Sequence, residues 1–258
     1  MSTTVETGPG PYRLAARDGG RRSLRARAAV GTERAGERTV LRTLRSDPPL
    51  TLRQTGPRRV HLVSTAAGPL GGDLLELDID VAAGTTLEIA SVASTLVLPG
   101  TGVSHVVVRA RVGAGAVLRY APEPTVLAAG CDHRMDVRLD LATDARVSWR
   151  EEIVFGRHGE RPGVCRSRFD ATVDGVPLLR QELTVGDPAV DGSPAVYGDA
   201  RCVGSVLLTG VRPAAPLLSD GCAVLPLAGP GTLVSALALD APALRARLTW
   251  GETEAGQA

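Results

Sequence analysis

Carboxylates set among glycines and prolines, and one cysteine–histidine pair, are the places where this sequence could do chemistry. Gly71-Gly72-Asp73 closes a glycine-rich run that opens at Ala66. Its glycines free the backbone for φ > 0, with one carboxylate held at the end. Asp73 could offer exchangeable oxygen ligands to a borderline cation, or could cap its own turn. Glu123 stands between Pro122 and Pro124, whose locked φ angles present it at a defined angle. Val147, Trp149, Glu151 and Ile153 alternate, so Glu151 shares the inward direction of apolar neighbours and needs a partner there. Arg157, following Phe155-Gly156, is the expected counter-ion for such a carboxylate. Cys131 and His133, two apart, share one face of a strand, and thiolate plus imidazole suits nickel or zinc. A structural centre normally needs four ligands, and His61, His105 and His158 lie scattered. No G-x-S-x-G elbow, H-E-x-x-H motif or dinucleotide fingerprint is present.

Composition narrows the partners. The 258 residues carry 29 basic and 28 acidic side chains, a net charge of +1. Such balance provides no global field toward nucleic acid or an anionic membrane. Every basic residue is arginine, so the lysine that a P-loop or a Schiff base requires is missing. Aromatic residues make up 3%, which leaves few platforms for stacking bases or sugars. No apolar run reaches the ~18–20 residues of a membrane helix, and no secretion signal opens the chain. The four cysteines, Cys131, Cys165, Cys202 and Cys222, are widely spaced, and reduced thiols in the cytoplasm are the expectation.

The elements that must position these groups are β-strands. Leu75, Leu77, Ile79 and Val81 alternate, then Ala82-Ala83-Gly84-Thr85 breaks the pattern before Leu87 and Ile89. The same design recurs from Val106 across Gly113-Ala114-Gly115-Ala116 to Tyr120, and from Met135 across Ala142-Thr143-Asp144-Ala145 to Trp149. Gly84, Gly115 and Asp144 are equivalent, about thirty residues apart. A looser fourth copy runs through Phe169 to Asp174-Gly175. Each break predicts a hairpin, and the whole predicts an all-β fold, mainly antiparallel stacked hairpins or a sandwich. One or two short helices are expected, the clearest at Asp240 to Leu248 near the C-terminus, with Asp240 as cap and Pro242 in the first turn. Residues 1–10 and 252–258 read as flexible tails around a single domain, 11–251.

Gly71-Gly72-Asp73, then Gly115 to Pro124 (Gly-Ala-Val-Leu-Arg-Tyr-Ala-Pro-Glu-Pro), then Gly156-Arg157 resembles the UreD family of urease accessory proteins in order and spacing. Two departures are Ala67-Gly68, where relatives carry Gly-Gly, and the run Ser91 to Leu98, which lacks the family's Lys and Tyr. The resemblance implies a scaffold and chaperone, with no catalysis of its own, that binds apo-urease and UreF- and UreG-type partners. It further implies nickel delivery along a polar path, with Ni2+ passing transiently and no cofactor tightly bound. Gly71, Gly72, Asp73, Glu123, Glu151 and Arg157 are the partner or nickel-path candidates. Two other readings fit the residues alone. One is a β-sandwich module for carbohydrate or peptide; the other is a hydrolase using Glu123 and Glu151.

Overall fold

Each of the three repeats sends its two strands into different sheets, so the expected hairpins are coils of a solenoid. A computed structural model describes residues 23–257. The chain opens with β1 (Arg25–Ala35), β2 (Arg38–Arg45), β3 (Leu50–Gly56) and β4 (Arg59–Ser64). The coils follow as β5 (Leu74–Val81), β6 (Thr86–Ser91), β7 (Thr95–Val97), β8 (Ser104–Val112), β9 (Val117–Ala121), β10 (Thr125–Leu127), β11 (Asp132–Leu141) and β12 (Arg146–Val154). β13 (Val164–Val173) and β14 (Val176–Val185) come next, then the single turn α1 (Pro188–Asp191). β15 (Cys202–Thr209), β16 (Leu217–Ser219), β17 (Cys222–Pro226), β18 (Gly231–Ala238) and α2 (Ala241–Gln257) complete the chain.

One sheet has seven strands in the order β14-β13-β11-β8-β5-β1-β2, and the other has eleven, nine of them in the order β16-β17-β18-β15-β12-β9-β6-β4-β3, with β10 pairing β12 and β7 off that path. Within the coils the pairing is parallel: β5 with β8, β8 with β11, β11 with β13, and β6 with β9, β9 with β12. Antiparallel pairing is confined to the flanks, including β1–β2, β3–β4, β13–β14 and β15–β18. The mainly antiparallel expectation is therefore corrected to a solenoid with mixed sheets. A period-2 pattern says which face a residue takes, but not whether its neighbour across the turn is a pairing partner. The turns stack on one another, with Gly84 N donating to Ala114 O and Gly113 N to Val81 O. A Cβ on Gly113 would sit 2.8 Å from the Ala83 nitrogen, so this stacking needs glycine. Only the fourth copy is a hairpin: Asp174 and Gly175 both take positive φ, and Val173 pairs with Val176.

The register turns repeat positions into ladders. Val30, Ile79, Ala110, Leu139 and Ala171 stand side by side in one sheet. Val60, Ile89, Tyr120, Trp149 and Leu207 do so in the other, and both rows belong to one core between the sheets. Tyr120 stacks on Trp149 with ring centroids 3.9 Å apart, and Phe169 from the opposite sheet meets Trp149 edge-on at 6.1 Å.

α2 covers the outer face of β12, β15, β17 and β18, burying Leu244 and Leu248 over Gly204. It is capped as expected, with Ala243 N donating to Asp240 Oδ1 at 2.8 Å. It also runs on to Gln257, so residues 252–257 are helical and not a loose tail. Gly251 and Gly256 weaken the local helix signal. Packing supplies what propensity lacks, since a Cβ on Gly251 would meet Val234 at 2.4 Å and Ala255 is buried. The tail expected at 1–10, and residues 11–22 of the expected domain, lie outside the described residues. No helix among the described residues is long and apolar enough to cross a membrane.

Candidate functional site

Two cavities lie between the sheets and share one wall residue, Glu151. The first, of ≈ 180 Å³, is lined by Leu75, Val106 and Val137 from one sheet, Tyr120 and Glu151 from the other, and loop residues Ser94 and Glu123. The second, of ≈ 420 Å³, is lined by Phe169 and Leu183 on one side, Val203 and Glu151 on the other, and Tyr197 after α1. Glu151 thus faces inward, as alternation along β12 requires. The Trp149 indole N–H reaches its carboxylate at 3.4 Å. Burial pushes the Glu151 carboxyl up to about 7, against that hydrogen bond. A carboxyl group held at that point changes charge near neutrality.

The other face of β12 carries an ionic network that sequence reasoning overlooked. Arg150 pairs with Glu252 on α2, and its Nη1 lies 3.9 Å from Glu152. Arg245 on α2 reaches Glu152 at 3.1 Å and both oxygens of Glu123 at 3.1 Å. The Glu152 side chain is fully enclosed, and burial raises its carboxyl while Arg245 and Arg150 oppose the shift. Glu123 therefore has an arginine partner and borders the first cavity at its mouth. The available signal was Arg150-Glu151-Glu152, three charges in succession on a strand, which only makes sense if both faces are covered.

The remaining candidates separate. Asp73 is buried and accepts from Leu24 N and Leu70 N, both at 2.9 Å, so it holds the loop closed as a turn cap. Gly71 is needed because a Cβ there would lie 2.5 Å from the Gly100 carbonyl carbon, and Gly72 takes φ +86°. Arg157 is exposed and binds Glu160 in its own loop at 2.5 Å, so it is not the counter-ion of Glu151. Cys131 and His133 both turn inward, but burial raises the Cys131 thiol to about 11. His133 Nδ1 is engaged with Ser104 Oγ at 2.8 Å. Among the described residues no three His, Cys, Asp or Glu side chains gather as a metal centre. All four cysteines are free and buried.

These two buried groups set opposite pH dependences. Glu151, raised from 4.5 to about 7, contributes stability that is full below pH 4.5 and lost as pH rises through 7. His133 is lowered from 6.5 to about 4, by burial first and by the neighbouring His105 second. Its contribution is full above 6.5 and lost as pH falls through 4. Glu151→Gln should gain about 3 kcal/mol relative to wild type between the lower and upper ends of the Glu151 window. Urea unfolding at several pH values measures this, and parallel profiles for the two proteins would refute it.

The comparisons with known proteins agree with one another. Residues 24–257 match the family model described as UreD urease accessory protein. The chain is 43% identical to "Urease accessory protein UreD" of Frankia casuarinae, covering 97% of this chain and 96% of that one. It is 45% identical to the protein of the same name from a Parafrankia species, over 88% of each. It is 40% identical to "Urease accessory protein UreD 1" of Saccharopolyspora erythraea, over 84% and 90%.

Proposed function

Because the chain belongs to the UreD family of urease accessory proteins, we propose that it is a non-catalytic scaffold of urease maturation in the cytoplasm. It holds apo-urease together with UreF- and UreG-type partners and lets Ni2+ pass through its interior. The observation that carries this reading is the pair of cavities between the sheets that have Glu151 as a common wall residue. Nickel is cargo here: a titrating carboxylate between two openings handles a divalent ion transiently, without the full ligand set that would retain it. The absence of lysine from the sequence fits a division of labour in which nucleotide chemistry belongs to a partner. Glu123, bound by both oxygens to Arg245, is poorly placed to serve as half of a hydrolytic carboxylate pair.

Co-expression with urease subunits and UreF- and UreG-type proteins tests the scaffold. A tagged chain should recover the other components, and urease activity in nickel medium should depend on its presence. Equal activity without this chain would overturn the proposal.

A further inference from the structure

Among the described residues no helix covers the outer face of the seven-stranded sheet, whereas α2 covers part of the other. Across it lies a groove of ≈ 570 Å³ whose floor is Ala29 and Gly31 on β1, with Asp78 and Asp80 on β5. Arg42 and Arg45 on β2 form one wall, and Arg109, Arg111 and Arg138 on β8 and β11 form the other. Arg42 is paired with Glu33, Arg109 with Glu76, and Asp78 with Arg27. Arg45, Arg111 and Arg138 are exposed and form no ion pair among the described residues. Arg138 stands directly opposite Arg109, a like-charge juxtaposition that disfavours the free sheet.

We propose that this groove docks an extended acidic segment of a partner protein, which crosses the strands and places carboxylates on Arg45, Arg111 and Arg138. The spacing favours a chain over a single ion. Arg45 and Arg138 belong to one cross-strand row, Arg45–Ala29–Asp78–Arg109–Arg138, four strand intervals long. That is about 19 Å, or roughly six residues of extended peptide. The chemistry favours peptide over nucleic acid. Asp78, Asp80 and Asp140 in the groove can accept peptide N–H groups, donors that a phosphodiester backbone lacks, and among the described residues no aromatic ring lines the groove for bases to stack on. This inference concerns the outer surface and does not depend on the interior path.

The test uses the full chain and fluorescein-labelled octaglutamate, followed by anisotropy, with oligothymidylate of equal length as the competing class. Octaglutamate should bind saturably and more tightly than oligothymidylate. The triple variant R45Q/R111Q/R138Q should weaken it by about tenfold or more, with an unchanged circular-dichroism spectrum. A charge-matched control, R53Q/R58Q/R161Q, removes three exposed arginines outside the groove and should leave the affinity close to wild type. Equal weakening by the control, or tighter binding of oligothymidylate, would overturn the assignment.

Discussion

Replacing Trp149 with alanine should lower the unfolding free energy by about 3–5 kcal/mol, the scale for truncating a large buried aromatic. Trp149 is 1% exposed and lies in the core between the two sheets. It stacks on Tyr120 of the preceding coil and meets Phe169 across the sheets. A solenoid coil cannot bury its apolar face alone, so its stability lies in the interface with the next coil. Removing the ring opens a cavity in that interface, because strands hydrogen-bonded on both sides of β12, parallel to β9 and antiparallel to β15, cannot close in to fill it. Trp149→Phe keeps one ring and should cost markedly less. Guanidinium unfolding monitored by circular dichroism measures both. A loss below about 1 kcal/mol for Trp149→Ala would show that the aromatic stack is not the centre of the core.

The repeat was legible because a parallel coil writes its period directly into the chain. Residues in equivalent places, such as Ile79, Ala110 and Leu139, become neighbours in register. What could not be read was the pairing. The four-residue breaks at Gly84 and Gly115 look like hairpin turns, yet they carry the chain from one sheet to the other and stack on each other. The inward direction of Glu151 followed from alternation alone, and the structure places it there. Its supposed partner Arg157 did not follow, because a counter-ion is a long-range choice and Arg157 has Glu160 three residues away. Arg245 lies far along the chain from Glu123 and Glu152 and shows no local sign of pairing with either. Gly71 and Gly72 proved to be demanded by backbone geometry, and Asp73 accepts hydrogen bonds that cap the turn.

Glu151→Gln should reduce urease activation in the co-expression system by about ten- to hundredfold, the scale on which loss of a metal-handling polar group is felt. Glutamine matches the side chain in volume and keeps an acceptor for the Trp149 indole N–H. The cavity wall is therefore preserved and only the ionisable charge is lost. Arg157→Gln, on the exposed loop, removes a surface pair of little energetic weight and should leave activation near wild type.

Nickel content and activity of urease matured with the Glu151→Gln chain, measured alongside recovery of the assembled complex, is the most direct measurement. The interior-path account predicts that the variant still assembles with its partners while the urease it matures is poor in nickel and in activity. Wild-type nickel loading by a variant that assembles normally would contradict it.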